Sequence, residues 1–354
     1  MVTIRDVAER SGVSLGTVSR VLNGHPSVRP RVRIKVNDAI SELGYVPNSA
    51  ARSLRSARTR TLGLIVPNLE SPMTVALVRG VEDAAQLAGY SLLLAESRLD
   101  PQLEATHIAN LLQRRVDGLL ISPLESISSV DRAVGSSRAP TVVLQLRRPR
   151  REFPGVFIDE TCAIEAAVRD LVSVGHRRIS FVHSAGRAGG GRQRRELFRT
   201  ALASHGIVGR DDLDAVFSTS DACHQEIMGL LARSDRPTAL IVGIHQFVPA
   251  ALAAIRDAGL HVGRDISLVV FGDSDWARSL TPPLSAILVD QAEHAASAVS
   301  LLVRLIDSDP SAPRSVRSES TYIARTSVQA TPMCERCESR RAPGGLAQTH
   351  DYNN

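Results

Sequence analysis

From Thr61 to about residue 330, short apolar runs alternate with amphipathic stretches of helical length. Strands that are apolar throughout are typical of parallel sheets covered by helices on both faces. The predicted strands are Leu62–Val66, Ser91–Ala95, Asp117–Ile121, Thr141–Leu144, Ile179–His183, Ala215–Phe217, Ala239–Val242 and Ser267–Phe271. The predicted helices cover about 74–88, 102–115, 160–174, 192–205, 222–233, 247–258 and 291–307. These strand–helix units are too many for one doubly wound sheet. We therefore expect an α/β core of two doubly wound parallel-sheet lobes, with a cleft at the carboxyl ends of their strands.

The composition excludes several classes of protein. A chain of 354 residues has room for two or three domains. It has no apolar run long enough for a transmembrane helix, and the opening MVTIRDVAER lacks the apolar segment of a secretory signal. Four cysteines are too few for a disulfide scaffold. We therefore expect a cytoplasmic protein.

The positive charge is concentrated at one end of the chain. Residues 1–60 hold eleven basic and four acidic side chains, whereas the other residues carry a slight negative excess. Such a block indicates a polyanion partner, although a solvated basic arm would have the same composition. Tyr45 is the only aromatic residue in this stretch. Binding of single strands or RNA loops uses more aromatic stacking than that, so double-stranded DNA is the favoured partner.

The first part of this basic stretch has the pattern of a helix-turn-helix. Thr3 and Asp6 form a candidate capping box, and Gly12 is expected to end the first helix. Ser14 is a candidate N-cap for a second helix over about 15–22, whose outer side stays polar. A third amphipathic helix is expected over about 30–43. Two short helices joined by a tight turn suit entry into a major groove.

Two dense motifs in this region resemble the DNA-binding end of the LacI family of bacterial transcription regulators. They are TIRDVAERSGVSLGTVSRVLNG at 3–24 and AISELGYVPNSAARSL at 39–54. The resemblance implies base reading by Leu15, Gly16 and Arg20, because an arginine fork has the reach and geometry for a guanine edge. It also implies phosphate contacts, which position a domain without reading sequence. The candidates are Thr3, Ser14, Thr17, Ser19, Asn23 and His25.

Residues 48–56 resemble the hinge helix of that family, which becomes ordered on operator DNA. The resemblance implies DNA contacts by Asn48, Arg52 and Leu54. Leu54 would be a wedge that enters the minor groove and kinks a base step. The basic residues Arg55, Arg58 and Arg60 add to the positive charge there.

The remainder of the chain resembles the core of the same family, which is similar to a periplasmic sugar-binding protein. Matching stretches include GVEDAAQLAGYSLLLA at 80–95, RRVDGLLISP at 114–123 and IRDAGLHVGRDISLVVFGD at 255–273. The implied division is a helix-turn-helix domain at 1–46, a hinge helix and linker at 47–60, a two-lobed effector-binding and dimerisation core at 61–330, and a disordered tail at 331–354. One lobe would comprise about 61–158 and 290–320, and the other about 159–289 and 321–330, with crossings near Asp159, Val289 and Thr321.

The predicted effector site departs from the family pattern. Asp159 matches a pocket carboxylate and Arg194 matches a ligand-clamping arginine. The family's Asn-Asp after the strand 239–242 is replaced by Ile244-His245, and its Asp-Asp after Phe271 by Gly272-Asp273. The effector candidates are Met73, Asp159, Arg194, Ser220, His245 and Asp273. A site that keeps about half of the usual groups indicates either a less hydroxylated ligand or a family member with little ligand response.

Catalysis and metal binding find little support in the sequence. Cys162 and Cys223 lie in predicted helices without a paired His and Asp, and we expect both to be buried or inert. Cys334-x-x-Cys337 is a single CxxC in a polar tail, which is a weak zinc signal. The arginines at 192, 194 and 195 follow three glycines, but without the lysine of a phosphate-binding loop. No cofactor is expected.

Three functions remain for comparison. The favoured one is a dimeric regulator, most often a repressor in this family, that binds a pseudo-palindromic operator and responds to a small-molecule effector, a sugar or another metabolite. A stand-alone small-molecule binder would need an export signal and no basic headpiece. An enzyme with a fused DNA-binding domain would need a nucleophile with its base, or a metal cluster, in the cleft.

Overall fold

The computed structural model describes residues 2–22, 25–45, 58–124, 127–135, 137, 139–146, 153–184, 191–217 and 219–330. The chain divides into two compact units, Met1–Thr59 and Arg60–Asn354. The candidate residues Asn23, Asn48, Arg52 and Leu54, and the cysteines of the tail, lie outside the described residues.

The first unit contains the three predicted helices. They are α1 (Ile4–Ser11), α2 (Leu15–Leu22) and α3 (Pro30–Leu43). The Thr3–Asp6 capping box is present at the start of α1, and Gly12 ends that helix with a positive φ of 68°. Their shared core is small and rich in valine, with Val7, Val18 and Val36 fully buried. We call the described part of this unit the headpiece.

In the second unit the first lobe is built on β1 (Thr61–Val66), β2 (Ser91–Glu96), β3 (Gly118–Ile121), β4 (Thr141–Leu146) and β5 (Gly155–Asp159). These strands pair in parallel in the order β2-β1-β3-β4-β5. Helices α4 (Pro72–Leu87), α5 (Pro101–Gln113) and α6 (Ile127–Val134) follow the first strands. Leu64 faces α4 whereas Ile65 faces α5 and α6, so alternate residues of one strand enter two different cores.

The second lobe repeats this plan. Its strands are β6 (Ile179–Ser184), β7 (Ala215–Phe217), β8 (Ala239–Val242), β9 (Ser267–Phe271) and β10 (Ser285–Val289), in the order β10-β9-β8-β6-β7. Helices α7 (Thr161–Ser173) and α8 (Gly191–Ser204) cover one face. Helices α9 (Ser220–Leu231), α10 (Val248–Asp257) and α11 (Asp275–Ser279) cover the other. The expectation of two doubly wound lobes is confirmed.

One strand belongs to both sheets. The first half of β11 (Ser315–Ile323) pairs in parallel with β5 through Glu319, and its second half pairs antiparallel with β10 from Ser320. The preceding helix α12 (Gln291–Ile306) returns to the first lobe and packs along α4. The lobes are therefore interleaved along the chain.

The structure adds elements that the apolar pattern did not indicate. Helices α6 and α11 were not predicted, and β5, β10 and β11 were expected only as crossings. Of the two cysteines expected to be buried or inert, Cys223 is fully buried, whereas Cys162 is not buried and lies on the exposed side of the first turn of α7.

Candidate DNA-binding face and interlobe cavity

The outer side of α2 carries the three residues that we expect from the sequence to contact bases, Leu15, Gly16 and Arg20. Leu15 is 43% exposed although it is apolar. The Arg20 side chain is exposed and forms no hydrogen bond or ion pair with another described residue. A Cβ at Gly16 would meet only the hydroxyl of Ser14, at 3.9 Å, so this side of the helix is narrow. The inner side of α2 holds Val18 and Val21 in the core.

The predicted phosphate contacts have internal roles as well. The backbone N–H and the hydroxyl of Thr3 donate to the Asp6 carboxylate at 2.7 and 2.9 Å, and these bonds lower the pKa of Asp6. Ser14 Oγ accepts from the backbone N–H of Thr17 at 3.3 Å and lies 3.0 Å from the Thr17 hydroxyl. Ser19 is half-buried. His25 is exposed, and its Nδ1 lies 2.8 Å from the hydroxyl oxygen of the serine two residues on.

In the second unit a cavity of about 150 Å³ lies where the two lobes meet. The first lobe contributes the start of α4 and of α12, and the second contributes α8 and the loops after β8 and β9. The crossing strands β5, β10 and β11 supply the rest of the wall. The lining residues are Ser71, Met73, Thr74, Ile158, Glu160, Arg194, Ile244, His245, Gln246, Phe271, Gly272, Ile287, Leu288, Val289, Gln291 and Ser320. This volume has room for a small molecule.

The two charged residues in that lining neutralise each other. Arg194 donates from Nε to both oxygens of Glu160, at 3.0 and 2.9 Å, and from Nη2 at 2.6 Å. It also donates to the carbonyl of Gly243 at 2.6 Å, and its guanidinium lies 4.2 Å from the centre of the Phe271 ring. The Glu160 side chain is 3% exposed. A fork of this kind is a strong, oriented pair that leaves the cavity wall without net charge.

His245 lies against the end of β9. Its Nδ1 is 3.1 Å from the carbonyl oxygen of Phe271, and its ring packs 5.4 Å from that of Trp276. Burial lowers the pKa of His245, so the imidazole is held in its neutral form. Gly272 makes this position possible, because a Cβ there would lie 3.0 Å from His245 Nδ1 and 3.1 Å from Met73 Sδ.

The six effector candidates do not all meet at the cavity. Met73, Arg194 and His245 line it. Asp159 accepts from the Thr161 N–H at 2.9 Å and pairs with Arg317 at 3.0 Å; the Thr161 bonds are the main reason why its pKa is lowered. Asp273 is held by both nitrogens of Arg325, at 2.8 and 2.7 Å.

Ser220, the sixth candidate, is exposed at the start of α9 and outside the cavity wall. Glu160 was not among the sequence candidates, and it takes the inward position beside Asp159. The alternation of side chains at a strand end was the signal for it, since Ile158 is buried and lines the same wall.

The described residues contain no group of three or more His, Cys, Asp or Glu side chains arranged to hold a metal ion. In the same part of the chain, no helix has the length and apolar character needed to cross a membrane. Burial raises the pKa of the Cys223 thiol to about 12, which leaves it unreactive.

Comparison with known proteins agrees with both parts of the fold. Residues 3–48 match the family of bacterial regulatory proteins called lacI, and residues 168–328 match a periplasmic binding protein-like domain. Catabolite control protein A of Priestia megaterium is 30% identical over 310 residues, which cover 87% of this chain and 93% of that protein. The HTH-type transcriptional repressor PurR of Pectobacterium atrosepticum is 32% identical, over 94% and 98% of the two chains.

A solved structure has a similar fold. The lac repressor dimer bound to operator and the anti-inducer ONPF has a TM-score of 0.82 at 26% identity, over 93% of this chain and 99% of that one. The relatives are transcriptional regulators and not enzymes, as the lack of a catalytic pattern led us to expect. With similarity over nearly the whole length of these relatives, this chain belongs to the LacI family of bacterial transcription regulators.

Proposed function

We propose that this regulator is a cytoplasmic repressor that binds a pseudo-palindromic operator as a homodimer, with its affinity for DNA set by a small molecule in the interlobe cavity. Two-fold symmetry would present two copies of α2 to the two half-sites. The division into domain 1–46, hinge 47–60, core 61–330 and tail 331–354 belongs to the same proposal.

The exposed Arg20 on the outer side of α2 is the observation that carries the DNA-binding part. Its guanidinium has no partner among the described residues, so no internal bond has to break when it meets a base edge. The lac repressor in the structure named above is bound to operator as a dimer, which supports the same interpretation.

The cavity carries the effector part of the proposal. It is walled by both lobes, so a ligand there changes the free energy of one lobe arrangement relative to another. By linkage, DNA must change the affinity for the effector by the same factor as the effector changes the affinity for DNA.

Selection of bound fragments from the source genome by the full-length protein, at physiological salt, tests the proposal. Salt matters because a basic domain binds any DNA when salt is low. We expect a common sequence with two-fold symmetry. Recovery of fragments without a common sequence would refute operator binding.

The substitution Arg20→Ala then tests the reading role. We expect a loss of about 1–3 kcal/mol in the preference for the operator over random DNA, with non-specific binding kept. Arg31→Ala is the matched control, because it removes the same charge from an exposed position of α3. It is expected to weaken binding to both DNAs alike. If Arg20→Ala behaved as the control does, Arg20 would not read bases.

A further inference from the structure

The chain enters the core at Arg60 in a backbone conformation that side chains rarely adopt. Arg60 directly precedes β1 and has a φ of +52°. It is also the first residue of the second compact unit, directly after Thr59. This conformation costs free energy for residues other than glycine, so it persists only where the surroundings hold it. A strained residue at the boundary between two units is therefore a candidate for a functional role.

Both backbone groups of Arg60 are bonded to segments of the first lobe that flank β1. Its N–H donates to Oδ2 of Asp117 at 2.9 Å, and its carbonyl oxygen accepts from the N–H of Ser91 at 2.9 Å. Asp117 directly precedes β3, and Ser91 is the first residue of β2. Because β2 and β3 pair with β1 on its two sides, the residue before β1 is held from both sides.

The side chain of Arg60 supplies a third contact. Its guanidinium carbon lies 5.2 Å from the centre of the Tyr90 ring, within the range of a cation–π interaction. Tyr90 is 5% exposed, and its hydroxyl hydrogen-bonds to no other residue that the structure describes. The ring therefore acts here through its face and not through its hydroxyl. We call the contacts of Arg60 with Asp117, Ser91 and Tyr90 the Arg60 anchor.

A glycine at position 60 would permit the same conformation without any anchor. Glycine adopts a positive φ at little steric cost, but it moves to other conformations as readily. Arginine adopts this conformation only where contacts hold it, and three such contacts are present. The anchor therefore fixes one direction in which the chain leaves the first lobe, whereas glycine would leave that direction free.

We propose that Arg60 is a positioning residue for DNA recognition, which fixes the direction of the linker and so selects operators by the spacing of their half-sites. This inference rests on the proposed function. In a symmetric dimer a stiff attachment of each linker favours one separation of the two recognition helices and penalises the others. One inserted base pair moves the half-sites apart by about 3.4 Å and rotates one against the other by about 34°.

Two DNA probes test the proposal. One is the symmetric operator recovered by the genomic selection, and the other is the same DNA with one base pair inserted between its half-sites. Fluorescence anisotropy of the full-length protein at physiological salt gives the Kd for each. The spacing ratio is the Kd for the inserted operator divided by the Kd for the original one. We expect a ratio of about ten or more for the unsubstituted protein.

The substitution Arg60→Gly keeps the backbone conformation accessible and removes the contact with the Tyr90 ring. Strain is relieved as the contact is lost, so we expect little change in the stability of the core. The spacing ratio is expected to fall about three-fold or more, because the direction of the linker is no longer fixed. A merely structural role of Arg60 would lower stability and leave the ratio unchanged.

Arg98→Gly is the matched control. Arg98 has a φ of +51°, and its loss removes the same charge and the same kind of strained backbone. It follows β2, whereas Arg60 precedes β1, so the two residues lie at opposite edges of a parallel sheet. We expect this variant to keep the spacing ratio of the unsubstituted protein. A ratio that is unchanged in Arg60→Gly, or lowered equally in both variants, would overturn the proposal.

Variants of the contacting residues test the anchor itself. Tyr90→Leu removes the ring and Asp117→Ala removes the acceptor, and each is expected to lower the spacing ratio. Tyr90→Phe removes only the hydroxyl and Asp117→Asn keeps an acceptor oxygen, so both are expected to retain it. Circular dichroism checks that each variant is folded, and Arg60→Gly alone decides if the truncations are not. Equal ratios in folded Tyr90→Leu and Tyr90→Phe would remove the ring from the anchor.

The proposed function and this inference fail in different ways. If the genomic selection yields no common sequence, operator binding fails and the inference falls with it. If the selection yields a symmetric operator and the unsubstituted protein binds both spacings equally, the inference alone fails. It also fails alone when the spacing ratio does not depend on Arg60.

Discussion

The backbone at Gly272 lies close to both the imidazole of His245 and the thioether of Met73. Its φ of +88° is one that side chains rarely adopt, and a Cβ would lie 3.0 Å from His245 Nδ1. The two departures from the family pattern, at 245 and at 272, thus form one spatial unit. In the sequence the two positions are 27 residues apart, and the structure places Gly272 against the imidazole of His245.

We therefore expect Gly272→Ala to destabilise the protein by about 2–4 kcal/mol, from backbone strain together with the clash. Urea unfolding of the full-length chain measures this loss. Gly259→Ala is the control, because Gly259 has a similar φ of +72° and a Cβ added there would meet nothing within 4 Å. Equal losses in the two variants would show that the His245 contact contributes nothing.

The two described cysteines differ in access. Cys162 is exposed, whereas Cys223 is fully buried with a pKa raised to about 12. In a chain with serine at 334 and 337, we expect a thiol reagent to label one cysteine at once and the second only after denaturant is added. Rapid labelling of both would contradict the burial of the inner side of α9.

At the scale of elements, the apolar pattern predicted most of the core. The strands 215–217, 239–242 and 267–271 have their predicted bounds, and the last two are buried along their whole length. The pattern failed for β11, whose residues Arg317, Ser318 and Glu319 are polar. That strand forms because partners on both sides satisfy its backbone, which is information from distant parts of the chain.

The candidate site was predictable only in part, because its geometry also depends on contacts that local sequence does not show. Arg194 and His245 were found because they match or replace family positions. Asp159 was the carboxylate chosen from the sequence, and the cavity wall holds its neighbour Glu160, since the sequence alone does not show which of two adjacent carboxylates turns inward. The pairing of Asp273 with Arg325 joins residues 52 positions apart, and no local pattern indicates it.

The capping box of α1 makes a prediction at this scale. Thr3→Ala removes the hydroxyl that bonds to Asp6, and we expect a cost of about 1 kcal/mol to the headpiece. Hydrogen exchange of the full-length protein measures it as faster exchange in α1 to α3. Thr219→Ala removes the N-cap of α9 instead and is expected to leave headpiece exchange unchanged. If both variants changed hydrogen exchange in α1 to α3 equally, the capping box would not stabilise the headpiece locally.

At the scale of the whole core, the His176 side chain contacts three segments that are distant in sequence. Its Nδ1 lies 2.8 Å from Thr238 Oγ1, and its Nε2 lies 2.8 Å from Ser267 Oγ and 3.0 Å from the Gln329 carbonyl. Burial lowers the pKa of this histidine from its usual 6.5. The neutral ring thereby stabilises the contact between the starts of β8 and β9 and the segment that contains Gln329.

The stability of the core should therefore depend on pH. The contribution of His176 is fully present above pH 6.5 and is lost as the pH falls from there through the lowered pKa of the folded state. We expect a slope of up to about 1.4 kcal/mol per pH unit in that window, and a shallower slope in His176→Gln. Urea unfolding at a series of pH values measures both; identical slopes would remove His176 from this role.

The sharing of β11 between two sheets has a consequence for synthesis on the ribosome. Residues 2–45 contain every described helix of the headpiece, so that unit can fold early. Both lobes, in contrast, wait for the segment 315–323, and the first lobe also waits for α12. The growing chain therefore carries a folded DNA-binding domain while both sheets of the core still lack their shared strand β11. The two lobes become complete at almost the same time, near the end of translation.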